Sequence, residues 1–152
     1  MKKPTNNPSK GERFSELLRR SGLKVTPARL AILEILEKSP IPLSPSRIVK
    51  NISRTDVDQA TVYRTLNSLR EAGAVKQIDL EHGHAHFEMA GRPEHHHVVC
   101  TNCGKVSDFE GCVSDAMVSD ALKQVKDFSS IDHHSLELFG LCKSCAKKLK
   151  KR

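Results

Sequence analysis

The chain of 152 residues has no tryptophan, one tyrosine and five phenylalanines, so any core must be built mainly from leucine, isoleucine and valine. No apolar run reaches the roughly 18 residues that a membrane-spanning helix needs. The opening stretch, MKKPTNNPSKG, is polar and has no apolar segment of the kind that secretory leaders carry. The expectation is therefore a cytoplasmic protein without a membrane partner. No internal repeat is visible, and the H-E-x-x-H pattern that gives a catalytic zinc its ligands and base is missing. Scarce aromatics also leave little for stacking single-stranded bases, which argues against an RNA-binding zinc-knuckle protein.

What is present is a pair of cysteine couples, Cys100-x-x-Cys103 and Cys142-x-x-Cys145, separated by 38 residues. Two residues between cysteines let both sulfurs of a turn face one ion. Two such turns supply the four thiolates of a closed structural Zn²⁺ shell. Gly104 follows the first couple, where the turn calls for positive φ, and a helix-forming run from Ala146 to Lys150 follows the second. Disulfides are the alternative, but a chain without a secretory leader favours reduced thiols and zinc. Zinc binding of this kind supplies folding free energy on the order of 10 kcal/mol. The fifth cysteine, Cys112, reads as a small buried filler.

Net charge is +7, unevenly placed: residues 1–90 carry 15 Lys/Arg against 10 Asp/Glu, and residues 91–152 carry 10 against 8. The basic first half suits a polyanionic partner. Four helices are expected there. The first runs from about Glu12 to Ser21 with Gly22 as its stop, burying Phe14, Leu17 and Leu18. Thr26-Pro27 and Ser44-Pro45 are cap-then-proline starts for the second and third. Their buried stripes are Leu30, Leu33, Ile35 and Leu36, then Ile48, Val49 and Ile52. Asp58 caps the fourth helix and Gly73 ends it. At 100° per residue Val62, Leu66 and Leu69 share its inner face, while Ala60, Tyr63, Arg64 and Asn67 share the outer one. A small residue, an aromatic, an arginine and an amide suit a major groove. Two strand-like runs, Ala74–Leu80 and His84–Met89, follow around the turn Glu81-His82-Gly83. Helices followed by a hairpin is the order of a winged helix.

Residues 90–94, AGRPE, read as a linker. Beyond it are expected strands His95–Cys100 and Lys105–Glu110, a helix from about Val113 to Lys126, and a strand Ser135–Leu141. The fold class is thus α+β: a winged-helix domain (1–90), a hinge (91–94) and a small zinc-containing α/β domain (95–152). A free sheet edge in the second domain is available to a second copy. All eight histidines lie between His82 and His134. Strand alternation puts His84, His86 and Glu88 on one face of the second wing strand. It also sends His95 and His97 to one side and Glu94 and His96 to the other, so one segment can feed two metal sites. Such nitrogen and oxygen ligands suit Fe²⁺, Mn²⁺ or Zn²⁺. His82 and His133 read as surface residues.

The runs Val25-Thr26-Pro27-Ala28-Arg29, Ala60-Thr61-Val62-Tyr63-Arg64, Phe87-Glu88, His95-His96-His97, Cys100-x-x-Cys103-Gly104-Lys105, Asp108-Phe109 and His134-Ser135-Leu136, with Cys142-x-x-Cys145, cover nearly the whole chain. On these residues it resembles the ferric uptake regulator family of bacterial metal-dependent repressors. The resemblance implies a homodimer that binds a palindromic double-stranded DNA operator when a second divalent metal acts as co-repressor, with no catalysis and no small-molecule substrate. It implies DNA contacts from Tyr63 and Arg64, to which the outer helix face adds Asn67 and Ala60, with Arg29 as a further DNA-binding candidate, and it implies a structural zinc on Cys100, Cys103, Cys142 and Cys145. Glu88, His95 and His97 match regulatory-metal positions, and Asp108 matches one used in some members. Glu94, His96, Asp115 and His134 match a third site. Many members take a histidine from the connector between helices two and three, but residues 39–44 here contain none. His84 or His86 is then expected to complete the shell. A zinc-uptake or peroxide-stress regulator is the alternative within the family, and a zinc enzyme the alternative outside it.

Overall fold

The computed structural model describes residues 9–52, 57–80, 85–111 and 115–149, with Asp115 described by its backbone alone. Residues 1–8, the wing turn 81–83, His84 and Cys112 lie outside the described residues. The chain forms two compact units, Met1–Gly91 and Arg92–Arg152.

Helix starts in the first unit follow local chemistry. Helix α1 spans Lys10–Arg20, two residues ahead of the expected start. The reason is a capping box: the Ser9 side chain accepts from the Glu12 N–H, and the Glu12 carboxylate accepts from the Ser9 N–H at 2.6 Å. Helices α2 (Pro27–Lys38), α3 (Pro45–Asn51) and α4 (Gln59–Glu71) begin where their caps put them. Thr26, Ser44 and Asp58 each accept a backbone N–H three residues on, the last at 2.7 Å from Thr61. Gly22 and Gly73, at φ 70° and 69°, turn the chain out of α1 and α4.

Phe14 and Leu18 of α1 pack with Leu33 and Leu36 of α2, Ile48 of α3, and Val62, Leu66 and Leu69 of α4. The expected stripe of α2 needs correction. Ile32 is fully buried, while Leu30 and Ile35 are only partly so. Helix α2 meets α1, α3, α4 and β2, so its buried arc is set by four neighbours rather than one. Leu17, Val49 and Ile52 are likewise only partly buried. The hairpin pairs β1 (Val75–Asp79) antiparallel with β2 (Ala85–Met89), from Val75↔Met89 to Asp79↔Ala85. Leu43 adds a one-residue bridge, exchanging two 2.9 Å backbone hydrogen bonds with Phe87. Four helices and this bridged hairpin make a winged helix.

In the second unit β3 (His96–Cys100) is central, with β4 (Val106–Phe109) antiparallel on one side and β5 (Glu137–Gly140) parallel on the other. Parallel pairing needs a long crossover, and α5 (Asp115–Gln124) lies within it. Helix α6 spans Lys143–Leu149 and so starts inside the second cysteine couple, earlier than the expected Ala146. Among the described residues no helix is long and apolar enough to cross a membrane.

Candidate metal centres and nucleic-acid interface

Cys100 ends β3, Cys103 sits in the turn that Gly104 closes at φ 67°, and Cys142 and Cys145 flank the start of α6. The four sulfurs lie within 4.8 Å of one another, and all four cysteines are free thiols. The Cys103 and Cys142 sulfurs are 3.8 Å apart, far beyond a disulfide bond. That spacing matches the edge of a tetrahedron with Zn–S bonds of about 2.3 Å. The Cys142 N–H, pointing at the Cys100 sulfur from 3.3 Å, leads the contacts that pull that thiol down to about 6. The Lys105 N–H pulls Cys103 the same way, but the surrounding Cys100, Cys145 and Cys142 sulfurs push it up to about 11. Cys142 is lowered, chiefly by the Cys145 N–H. Opposed shifts within one cluster are what crowded thiols show without a cation; a dication lets all four ionise. The donor set fits zinc.

Two further groups flank β3. On one side His97, 2% exposed, stands opposite Asp108 in the β3–β4 register, with Nε2 3.7 Å from Asp108 Oδ1. His95 meets His97 edge to face, with ring centroids 5.0 Å apart. Its Nδ1 lies 2.7 Å from the Pro93 carbonyl oxygen, an acceptor, so Nδ1 carries the proton and Nε2 the lone pair. Asp108 Oδ1 is buried without a hydrogen-bond partner, while Oδ2 accepts from Arg92 Nη2 at 2.6 Å. On the other side Glu94, His96 and His134 bring ligand atoms within 4.8 Å of one another. His134 Nε2 is 3.6 Å from Glu94 Oε1, and His96 Nε2 is buried without a hydrogen-bond partner. A buried acceptor or imidazole nitrogen left without a partner is costly unless something binds it. Both groups have the imidazole and carboxylate composition of a divalent-metal site.

Of the remaining candidates, Glu88 is a buried carboxylate on β2, opposite Lys76, and His86 is half-buried opposite Ile78. Sequence reasoning passed over Arg92 and Pro93, whose composition reads as linker; their contacts to Asp108 and His95 depend on the folded chain.

On α4 the inner residues Val62, Leu66 and Leu69 are fully buried, and Thr65 joins them. Ala60, Tyr63, Arg64 and Asn67 are exposed on the outer face. Arg64 Nη2 donates to Thr61 Oγ1 at 3.3 Å, one turn back, which leaves other N–H groups of its fork for an acceptor. Arg29 is tied to the turn before α2 through a 2.6 Å bond from Nη1 to the Lys24 carbonyl.

Residues 20–139 match the Ferric uptake regulator family. The chain belongs to that family. It is 35% identical over 138 residues to the ferric uptake regulation protein of Campylobacter jejuni, covering 88% of this chain and 87% of that one. It is also 35% identical over 135 residues to the peroxide operon regulator of Bacillus subtilis, covering 88% and 91%. Its fold matches the ferric uptake regulator of Helicobacter pylori with a TM-score of 0.71 and 26% identity, over 96% of this chain and 97% of that one. Three functional metal-binding sites are described in that protein. The Vibrio cholerae regulator matches with a TM-score of 0.70 and 32% identity, over 84% and 98%. This member of the ferric uptake regulator family is a metal-responsive, DNA-binding transcriptional regulator, with a winged-helix domain and a dimerisation domain. Its four cysteines and its two imidazole–carboxylate groups are placed as metal-binding groups.

Proposed function

We propose that this regulator represses genes of metal uptake or homeostasis, binding a palindromic operator as a homodimer when its regulatory metal is bound, and that it works in the cytoplasm without catalysis. The observation that carries the gating is the grouping of His95, His97 and Asp108 immediately beyond the linker. We assign the regulatory metal to these three, with Glu88 and with His86 or His84 from the wing. The cysteines hold structural zinc. Glu94, His96, Asp115 and His134 form the third site. A winged helix of residues 1–90, a hinge of 91–94 and a dimerisation domain of 95–152 complete the assignment.

Ligands drawn from both sides of a linker turn metal binding into a restriction on the angle between domains. The metal then shifts the population toward the DNA-competent state by its differential affinity for that state, a few kcal/mol at most. On α4, Arg64 and Asn67 offer base-edge donors, Tyr63 a ring for a thymine methyl, and Ala60 room for close approach; Arg29 supports the backbone side. Exposed apolar residues of the second unit, Val98, Leu138, Phe139 and Leu141 among them, support a second copy as its partner. A peroxide-stress role is the second reading, favoured by the match to the Bacillus subtilis peroxide operon regulator.

Operator binding measured with and without added Fe²⁺, Mn²⁺ or Zn²⁺ tests the proposal. His97→Ala is expected to keep zinc, dimer and fold while losing metal-dependent binding. An unchanged metal requirement in that variant would move the sensor to His96, Asp115 and His134.

A further inference from the structure

The segment that opens the second unit does more than join it to the first. Its Arg92 forms an ion pair with Asp108, Nη2 to Oδ2 at 2.6 Å, with the two side chains 27% and 23% exposed. A charge-assisted bond of that length in a half-buried setting holds the carboxylate in one orientation. That orientation leaves Oδ1 buried, without a hydrogen-bond partner and 3.7 Å from His97 Nε2. Two ligands of one metal ion, with bonds of about 2.1 Å at a tetrahedral angle, stand about 3.4 Å apart, so this pair lies within a few tenths of an ångström of that separation. The next linker residue supplies a matching contact, its Pro93 carbonyl fixing the tautomer of His95.

We propose that Arg92 is a positioning residue for the regulatory metal: by holding Oδ2 it presents Asp108 as a single-oxygen ligand beside His97. The proposal rests on the assignment of that metal to His95, His97 and Asp108 made above. Without the guanidinium, Asp108 can rotate or offer both oxygens, which changes the ligand count and the metals the site prefers. A lysine can carry the charge but lacks the planar fork that fixes a carboxylate plane. Arg92 also joins linker to ligand, so a bound metal is expected to stiffen the segment on which domain gating depends.

The test uses the full chain with structural zinc in place and a His96→Ala background that silences the other histidine group. Co²⁺ is titrated while its visible spectrum is followed. Arg92→Ala should weaken Co²⁺ binding by about tenfold to a hundredfold, the usual effect of losing a partner that orients a ligand, and should alter the spectrum. Zinc content and dimer should not change. Arg92→Lys should recover part of the affinity without restoring the spectrum. With Asp108→Ala already present, Arg92→Ala should add no further loss. Unchanged or tighter binding in Arg92→Ala, or a full further loss in the Asp108→Ala background, overturns the positioning role. If His97→Ala also binds Co²⁺ like its parent, the assignment of the regulatory metal itself falls. Loss in His97→Ala with no effect of Arg92→Ala removes the Arg92 proposal alone.

Discussion

The two units hold themselves together by different means. In the winged helix a continuous core runs from Phe14 through Ile32, Leu36, Ile48 and Leu66 to Phe87, and all of these are at most 2% exposed. In the second unit the buried apolar residues described are Val99, Cys100, Val106 and Cys145, two of them candidate metal ligands. Its larger apolar side chains, including Met117, Phe128, Leu138, Phe139 and Leu141, remain at the surface. A unit of about 60 residues buries only about 60% of the surface its unfolded chain exposes, and does so well only with a dense core. The first unit has one. The second is built around ligands and an uncovered face, so its stability is tied to the species it binds.

The largest expected effect separates the units directly. Stripping zinc, or replacing Cys142 by Ser, should unfold the β3–β4–β5 sheet while leaving α2 and α4 intact. Amide hydrogen exchange reads this residue by residue; protection of Val98 and Val99 that survives zinc removal would break the contrast. The reverse cut is Phe87→Ala, which opens a cavity between the wing and α2. It should cost the first unit about 3–5 kcal/mol by denaturant unfolding, with zinc content unchanged. Smaller again is Arg64→Ala, expected to lose about 1–3 kcal/mol on operator DNA and much less on random DNA. Equal losses on both would demote Arg64 to a phosphate contact. Ser9→Ala removes half the capping box and should cost the first unit about 1 kcal/mol.

The smallest effect is one of pH. The Thr61 hydroxyl and then its N–H hold Asp58 below the ordinary aspartate value of 3.8. A lowered folded value means the charged cap stabilises α4 above the unfolded pKa and stops doing so as pH falls through the folded one. Asp58→Asn keeps a capping oxygen without the charge, so the stability difference between it and the native chain should vanish on acidification. A constant difference down to pH 2 would show that the charge is not what the cap contributes.

How much was legible in the sequence follows from the range of each interaction. The cap starts of α2, α3 and α4 involve groups three residues apart, and Thr26, Ser44 and Asp58 declared them. The capping box of α1 is equally local: Ser9 and Glu12 carry its signature, ahead of the apolar face that begins at Phe14. The sulfur cluster was legible because a two-residue spacing constrains geometry by itself. The buried arc of α2 was misjudged because Ile32 is covered by elements that only the folded unit brings together.

The sequence alone determined the family, the four thiolates, the helix caps and the outer face of α4, all of which rest on short spacings. Tertiary structure decided the rest. It paired β5 parallel to β3 across more than thirty residues of chain, and joined Leu43 to Phe87 by a one-residue bridge beside the wing hairpin. It put Asp108 opposite His97 and closed Arg92 onto the carboxylate. These pairings are non-local: each trades chain entropy for contacts whose partners the intervening sequence does not specify.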